Sequence, residues 1–183
     1  MTGLGDPVRA TYDLLNQGKG EEALRLIEPF GKLPTANLSV LSAYALALKA
    51  NGRLEDTLHA YKRGLKAEPH NPIAEHNVGA TLGDLGRHKE AEATLRRAIA
   101  KGAQAAETWA VLGRQLMHLQ KFDGAIEAYR EAVRRDPTIA EVQRDLAQLI
   151  WMTTGDREAT VVSLRQAVAA NPKNFYTRFD LAA

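Results

Sequence analysis

The sequence predicts an all-α fold made of antiparallel helix pairs that repeat along the chain as a solenoid. Three observations predict it. The same pattern of residues returns five times with a period of 34, the length of one helix–turn–helix unit. Small and bulky apolar residues occupy fixed places in each copy, and glycine or proline falls between the predicted helices. The 183 residues are therefore expected to form a row of interfaces between neighbouring repeats.

The clearest copy of the pattern spans residues 106–137. Its marker residues stand at positions 4, 7, 8, 11, 17, 20, 24, 27 and 32 of the repeat, and they are Trp109, Leu112, Gly113, Leu116, Phe122, Ala125, Tyr129, Ala132 and Pro137. This pattern resembles the tetratricopeptide repeat. The resemblance implies a right-handed superhelix in which the first helix of each repeat (helix A) lines a concave groove that holds a peptide, with helix B behind it.

Helix A of every repeat carries a small residue at position 8 and a large apolar one at position 11. The small residues are Thr11, Ala45, Gly79, Gly113 and Ala147, and the large ones are Leu14, Leu48, Leu82, Leu116 and Ile150. Two helices can approach closely only where one offers a small residue and the other a bulky side chain. Helix B carries its own apolar stripe, with Ala23, Thr57, Ala91, Ala125 and Ala159 at position 20 and Ile27, Tyr61, Leu95, Tyr129 and Leu164 at position 24.

The turns are marked by glycine and proline. A glycine able to adopt the left-handed conformation ends helix A in four repeats, at Gly18, Gly52, Gly86 and Gly155, with Gln120 as the exception. Helix B is followed by Pro69, Pro137 or Pro172 in three repeats. These signals predict one array over residues 1–183, with repeats at about 4–37, 38–71, 72–105, 106–139 and 140–174 and a truncated sixth from Phe175.

Three departures from the pattern lead to further predictions. Pro7, Gly31 and Pro34 predict that the first repeat is a degenerate cap. Gly64 lies inside a helix, where glycine costs about 1 kcal/mol relative to alanine, so the second repeat is expected to be the looser one. One additional residue between Ile150 and Gly155 predicts an irregular turn in the fifth repeat.

Composition favours a helical protein of the cytoplasmic type. The sequence contains no cysteine, which excludes disulfides, a thiolate nucleophile and cysteine-based metal sites. Its first twenty residues lack a continuous apolar run after a basic leader, and no stretch of eighteen apolar residues occurs. We therefore expect neither secretion nor a membrane span, and no cofactor is predicted.

The candidate binding surface is the face of helix A opposite the packing stripe, at positions 2, 5, 6, 9, 12 and 13. The predicted groove residues are Tyr12, Leu46, His76, Asn77, Arg114, His118, Arg144 and Gln148. The whole stripe carries four basic and four acidic side chains. A receptor for nucleic acid or for acidic tails needs one dominant sign, so a protein or peptide partner is predicted, and no nucleic acid. The chaperone-binding members of the family hold a terminal carboxylate with lysine, arginine and asparagine in three successive repeats, and only Asn77 matches that set.

Two other features could indicate a metal site or an anionic partner, and the sequence favours neither. His76, Asp84 and His118 could meet at a metal ion, but they lie on different helices without an i, i+4 histidine pair, so no metal site is predicted. Basic clusters recur at the ends of the B helices, as at Arg96, Arg97 and Lys101. Because acidic residues recur at the starts of the same helices, this polarity matches the helix dipole and favours a structural role over an anionic partner.

The sequence favours a non-catalytic protein-interaction scaffold. Two alternatives stay open: the repeats form the N-terminal part of a larger bacterial enzyme, or they bind RNA. Bacterial sulfotransferases, glycosyltransferases and iron/2-oxoglutarate oxygenases begin with such arrays, and residues 145–156, DLAQLIWMTTGD, look like the last repeat of the oxygenase group. At the end of the chain, Phe179 and Leu181 begin a helix without a second helix to cover it. We expect this end to fray or to pair two chains as a homodimer through the C-terminal repeat.

Overall fold

The computed structural model describes residues 6–170, and all regular secondary structure within this range is α-helical. The all-α prediction is therefore confirmed for these residues. Their ten helices are α1 (Pro7–Asn16), α2 (Gly20–Gly31), α3 (Leu38–Ala50), α4 (Leu54–Ala67), α5 (Pro72–Asp84), α6 (His88–Ala100), α7 (Ala106–His118), α8 (Phe122–Arg135), α9 (Ala140–Thr154) and α10 (Arg157–Ala170). Odd-numbered helices are the A helices and even-numbered ones the B helices.

The first three A helices begin at side chains that cap them. The Asp6 carboxylate accepts a hydrogen bond from the Val8 backbone N–H, and the Asn37 side chain accepts one from Val40. Asn71 accepts from the N–H groups of both Ile73 and Ala74. These bonds satisfy donors that a helix start leaves without a partner, and they fix where each A helix begins.

The helices fall into two compact units, Met1–Lys101 and Gly102–Ala183. In the first unit each of α1 to α6 packs against its neighbours in sequence, and α1 also contacts α3. The interior of this unit is a continuous apolar cluster that includes Ala23, Ile27, Tyr44, Leu48, Leu58, Tyr61, Val78, Leu82 and Ala91. In the second unit α7 packs on α8, α8 on α9 and α9 on α10, around Leu112, Leu116, Tyr129, Leu146 and Leu149.

The α5–α6 and α7–α8 pairs are brought together at the glycine in position 8 of helix A. A Cβ atom built on Gly79 would lie 2.8 Å from Cγ of Leu95, and one built on Gly113 would lie 2.7 Å from Cδ1 of Tyr129. Both distances are shorter than real Cβ contacts, so only glycine allows these helix pairs to approach as they do. The predicted partnership of small and large residues is thus found between position 8 of helix A and position 24 of helix B.

The turns between helix A and helix B follow the predicted signals. Gly18, Gly52, Gly86 and Gly155 have φ of 73°, 72°, 73° and 66°, in the left-handed region that glycine tolerates. Gln120, which the sequence singles out as the exception, adopts the same conformation with φ of 58°. The helix pair therefore imposes the turn geometry even where a side chain makes it unfavourable.

The departures from the repeat pattern have structural explanations. A Cβ built on Gly31 would lie 2.3 Å from Cγ of Tyr44, and one built on Gly64 would lie 2.8 Å from Cδ1 of Leu38. These two glycines lie where a neighbouring side chain leaves no room for a Cβ atom. The expected looseness of the second repeat stays a prediction.

Helix α9 has 15 residues where α3, α5 and α7 have 13. In the first four turns the residue after the left-handed one donates to a carbonyl five residues back, as Arg87 does to Leu82, whereas Asp156 donates to the Thr154 hydroxyl. The turn of the fifth repeat is therefore irregular, as predicted.

Basic side chains at the ends of the B helices hold neighbouring segments together. The Glu75 carboxylate at the start of α5 is only 2% exposed, and it accepts hydrogen bonds from Arg97 of α6 and from Lys101, the residue that follows α6. Arg63 of α4 donates to the backbone carbonyls of Gly31 and Leu33. These contacts support the structural interpretation of the basic clusters.

In the second unit, a basic side chain at the end of a B helix stacks on an aromatic ring. The Arg135 guanidinium lies 4.7 Å from the ring centroid of Trp109 and donates to Gln104 and Glu131. Trp109 is half-buried, and its indole Nε1 has no hydrogen-bond partner among residues 6–170. A cation stacked on a tryptophan face is attracted by the ring electrons. This contact ties the end of α8 to α7.

The predicted association surface at Phe179 and Leu181, together with Pro172 and the truncated repeat from Phe175, lies outside the described residues. None of the described helices has the length and apolar character needed to cross a lipid bilayer.

The first prediction concerns the close contact at Gly113. Replacing Gly113 with alanine is expected to lower the free energy of unfolding by about 1–3 kcal/mol, because the added methyl group collides with the Tyr129 ring. Gly124→Ala is the matched control, since a Cβ there lies 3.5 Å from Leu116 and should raise stability by about 0.5–1 kcal/mol through helix propensity. Urea unfolding followed by circular dichroism measures both. Equal effects at the two sites would contradict the close contact.

The second prediction concerns the turn at Gln120. Gln120→Gly is expected to raise the free energy of unfolding by about 0.5–1 kcal/mol, because glycine adopts positive φ without steric cost. Gly86→Ala at the equivalent turn is expected to lower it by about 1 kcal/mol. The urea concentrations at the midpoints of unfolding measure both effects. A loss of stability in Gln120→Gly would contradict the prediction, because it would show that the Gln120 side chain makes a contact worth more than its backbone strain.

The third prediction concerns the buried carboxylate of Glu75. Burial by itself raises the pKa of Glu75, but the hydrogen bonds from Lys101 and Arg97 outweigh it and hold the pKa below its usual value. Glu75→Gln is expected to lower the free energy of unfolding by about 1–3 kcal/mol at pH 7, since the two cations are part-exposed and regain water. Glu90→Gln, which breaks an exposed pair with Arg87, is expected to lower the free energy of unfolding by less than Glu75→Gln does.

The pH dependence of the Glu75 effect has a definite sign. A carboxyl group whose pKa is lowered by folding stabilises the folded state above its unfolded pKa, and this contribution is lost as pH falls through the folded pKa. The difference between the unmodified chain and Glu75→Gln should therefore be largest above about pH 5 and shrink as the solution is acidified. A difference that stays constant from pH 7 to pH 3 would show that the ion pairs are unimportant.

Candidate functional site

The predicted groove residues divide equally between the two units. Tyr12, Leu46, His76 and Asn77 belong to the first unit, and Arg114, His118, Arg144 and Gln148 belong to the second. All eight stand on A helices, on the face turned away from the apolar stripe that packs against helix B. None of them is fully buried. Each group is described within its own unit.

In the first unit the A-helix surface is largely neutral. Tyr12 on α1 is 37% exposed, while Leu46 on α3 and His76 and Asn77 on α5 are half-buried. Ile73, at the start of α5, is 67% exposed. These side chains offer apolar and hydrogen-bonding surface to a ligand, without a net charge of their own.

Two charged residues of the same surface form an ion pair. Lys49 of α3 lies 2.6 Å from the Asp84 carboxylate of α5, which joins the C-terminal ends of two successive A helices. Burial raises the pKa of Tyr61 well above its ordinary range, with a further increase from Tyr12. The Tyr61 phenol therefore stays neutral at physiological pH. The exposed Arg9 of α1, at position 6 of the first repeat, is the remaining charged residue of this face.

In the second unit the A-helix surface is charged. Arg114 and His118 on α7 are exposed, as is Gln148 on α9, and Arg144 is half-buried. The Arg144 guanidinium donates through Nη2 to Oδ1 of Asp145 at 3.0 Å. Burial, with the charge of Asp145, raises the pKa of Tyr129 to about 12, and Arg114 acts in the opposite direction. The Tyr129 phenol is therefore neutral and lies within electrostatic range of both charged groups.

Two exposed apolar side chains and a cavity were not among the eight predicted residues. Trp151 and Met152, at the C-terminal end of α9, are 54% and 60% exposed. Met152 lines a cavity of about 550 Å³ together with Thr153, Phe122 and the turn that leads into α8. The stripe positions 12 and 13 place Trp151 and Met152 on the groove face. The cavity could not be foreseen from the sequence, because it is lined by two segments that lie far apart along the chain.

The residues considered for a metal site are not brought together in the described part of the chain. No three or more histidine, cysteine, aspartate or glutamate side chains among residues 6–170 come close enough to hold a metal ion. Asp84 is instead paired with Lys49.

Two named proteins show how the sequence relates to known ones. The chain is 28% identical over 138 residues to Tetratricopeptide repeat protein 8 of Caenorhabditis elegans. It is 26% identical over 99 residues to RNA polymerase II-associated protein 3 of Xenopus laevis. These matches cover 74% and 54% of this chain but only 27% and 15% of the two relatives. The chain thus spans less than a third of the length of either relative.

Solved structures share the fold at low sequence identity. MamA from Desulfovibrio magneticus RS-1 superposes with a TM-score of 0.76 and 20% identity, over 94% of this chain and 99% of that one. YrrB, described as a TPR protein with an unusual peptide-binding site, gives a TM-score of 0.71 and 16% identity, over 97% and 91% of the two chains. These similarities confirm the predicted fold class, an α-solenoid of tetratricopeptide helix pairs.

The sequence also matches a family model directly. The model described as Tetratricopeptide repeat matches residues 43–106 and again residues 79–140, so the two matches together span more than half of the 183 residues. They include the α5–α6 and α7–α8 pairs, whose glycines at position 8 make the close contacts described above. The chain belongs to the tetratricopeptide repeat family.

Proposed function

We propose that this chain is a non-catalytic scaffold that binds a segment of another protein along the A-helix face of its repeats. One observation supports this most strongly. The A-helix face keeps chemically varied side chains accessible, among them Tyr12, Arg114 and Gln148. The basic residues of the B helices are instead largely used within the fold, as the bonds of Arg63 and Arg97 illustrate.

The comparisons support a binding role of this kind. YrrB, which shares the fold, is described as having a peptide-binding site. RNA polymerase II-associated protein 3, which shares part of the sequence, is named for its association with another assembly. Both descriptions belong to those proteins, and the partner of this chain is proposed only as a protein or peptide.

The two units are proposed to contact different parts of the ligand. Tyr12, Leu46, His76 and Asn77 would receive apolar or neutral side chains, because none of these four residues is an acid, a lysine or an arginine. Arg114, His118, Arg144 and Gln148 would receive polar or charged ones. In this proposal the five repeats of residues 4–174 act as one array, which a bound segment follows from repeat to repeat.

The fourth prediction tests which surface binds the partner. Arg114→Ala and Arg144→Ala are each expected to weaken binding of a protein partner by about 1–3 kcal/mol, since arginine is a frequent hot spot of interfaces. The partner is first recovered on the immobilised chain from cells of the source organism, and its affinity is then measured by isothermal titration calorimetry. Circular dichroism should show unchanged helicity in both variants.

Arg130→Ala and Arg134→Ala are the matched controls for this experiment. Both side chains are exposed on helix α8, a B helix of the same unit, and their removal leaves the A-helix face intact. Arg97 is unsuitable as a control because it holds the buried Glu75 carboxylate. If Arg130→Ala or Arg134→Ala weakens binding more than Arg114→Ala and Arg144→Ala, the partner binds the B-helix surface and the proposal is wrong.

A further inference from the structure

One asparagine of the chain is followed by glycine, and it lies in the turn between α3 and α4. This residue is Asn51. Its side-chain Nδ2 donates to the backbone carbonyl of Ala47 at 2.7 Å and to that of Gly20 at 2.9 Å. Gly20 is the first residue of α2. The two bonds therefore join the end of helix A of the second repeat to the start of helix B of the first repeat.

This connection depends on the residue types at two positions of the repeat. Asn51 occupies position 14, where the third and fourth repeats have Leu85 and Leu119, whose side chains cannot donate a hydrogen bond. Gly20 occupies position 17, and a Cβ atom built on it would lie 3.2 Å from Cβ of Ala50 and 3.4 Å from Nδ2 of Asn51. The lack of a side chain at Gly20 therefore lets the Asn51 amide approach the start of α2.

Asparagine followed by glycine is chemically labile in an unfolded chain, because glycine has no side chain to hinder the reaction. The backbone nitrogen of Gly52 attacks Cγ of Asn51, a C–N bond forms, the Cγ–Nδ2 bond breaks, and ammonia leaves with the proton of the Gly52 N–H. Water then opens the five-membered imide. Its hydroxyl bonds either to Cγ, which gives aspartate, or to the main-chain carbonyl carbon, which gives isoaspartate, and its proton returns to the Gly52 nitrogen.

The folded structure holds this pair of residues in a conformation that opposes ring closure. The Gly52 N–H donates to the Lys49 carbonyl at 2.9 Å, and the Arg53 N–H donates to the Leu48 carbonyl at 3.0 Å. Asn51 has ψ of 13°, which turns the Gly52 nitrogen away from Cβ, whereas the five-membered ring needs these two atoms nearly eclipsed. Deamidation therefore requires the turn to open and both Nδ2 bonds of Asn51 to break.

We propose that Asn51 is a site of spontaneous deamidation, that the fold protects it while the first repeat is packed on the second, and that the modification weakens this packing. At neutral pH a carboxylate has no proton to donate, and it would face the carbonyl oxygens of Gly20 and Ala47. Isoaspartate, which lengthens the main chain by one atom, also distorts the turn. The reaction needs only water, and the half-buried Asn51 lines a surface cavity of about 360 Å³.

The modification affects the part of the chain that carries Tyr12. Helix α1, on which Tyr12 stands, contacts α2 and α3, and the Asn51 bonds connect those same two helices. Loss of these bonds therefore loosens the first repeat, which forms the N-terminal end of the A-helix face. The inference does not depend on a partner for that face, because both of its experiments follow the chain alone.

The first experiment incubates the full chain at neutral pH, once in buffer and once in guanidinium chloride that unfolds it. Peptide mapping by mass spectrometry gives the rate at which Asn51 is converted to aspartate or isoaspartate. The folded chain is expected to react at least about tenfold more slowly, because the turn must first open. Asn77, which precedes the β-branched Val78, is the internal control and should stay unmodified in both solutions. Equal rates at Asn51 in the two solutions, or equal rates at Asn51 and Asn77 in guanidinium chloride, would overturn the proposal.

The second experiment measures what the modification does to the first repeat. Asn51→Asp reproduces one product, and Asn16→Asp is the matched control, since both changes place a carboxylate at the C-terminal end of an A helix and Asn16 is exposed. Hydrogen–deuterium exchange of the α2 amides is expected to be about tenfold faster in Asn51→Asp than in Asn16→Asp. The amides of α5 and α6 should differ much less between the variants. Equal exchange of α2 in the two variants, or equal acceleration in α2, α5 and α6, would show that Asn51 does not hold the first repeat.

Discussion

The structure depends on the close approach of helix A to helix B within each pair. At Gly79 and Gly113 the approach is so close that even a methyl group would collide with Leu95 or Tyr129. Dispersion attraction falls steeply with distance, so this fit gives many side chains good contacts at once. The turn between the two helices is fixed by the same contact, which explains why Gln120 adopts a conformation that normally belongs to glycine.

The contact between helix A and helix B also determines which face of helix A is exposed. Once the apolar stripe of helix A faces helix B, the opposite stripe is directed outwards, because successive residues of a helix differ by about 100°. The ends of the B helices are brought against the loops that precede the A helices, where Arg63 and Arg97 find backbone carbonyls and the Glu75 carboxylate. Contacts within the fold therefore involve basic side chains at the ends of the B helices, whereas the A-helix face stays accessible.

The division of the A-helix face into two chemically different parts has a local origin. In the first unit Lys49 and Asp84 neutralise each other, and the exposed Arg9 is the remaining charge on this face. In the second unit Asp145 pairs with Arg144, and exposed residues of both signs stand on the same face. The total charge along the stripe is balanced, but its distribution differs between the units, and it is local charge that an incoming partner meets at short range.

The sequence by itself determined the helix pairs, their 34-residue spacing, the left-handed turns at Gly18, Gly52, Gly86 and Gly155, and the set of residues on the A-helix face. These follow from periodicity and backbone preference, which are properties of short segments. Only the tertiary structure decided which groups pair: that Arg97 and Lys101 hold a buried Glu75, that Gly31 and Gly64 admit Tyr44 and Leu38, and that Asn51 donates to the Gly20 carbonyl. Such pairings depend on distances between segments far apart in the chain, and a repeat pattern specifies the positions of side chains without specifying the partners that each one meets.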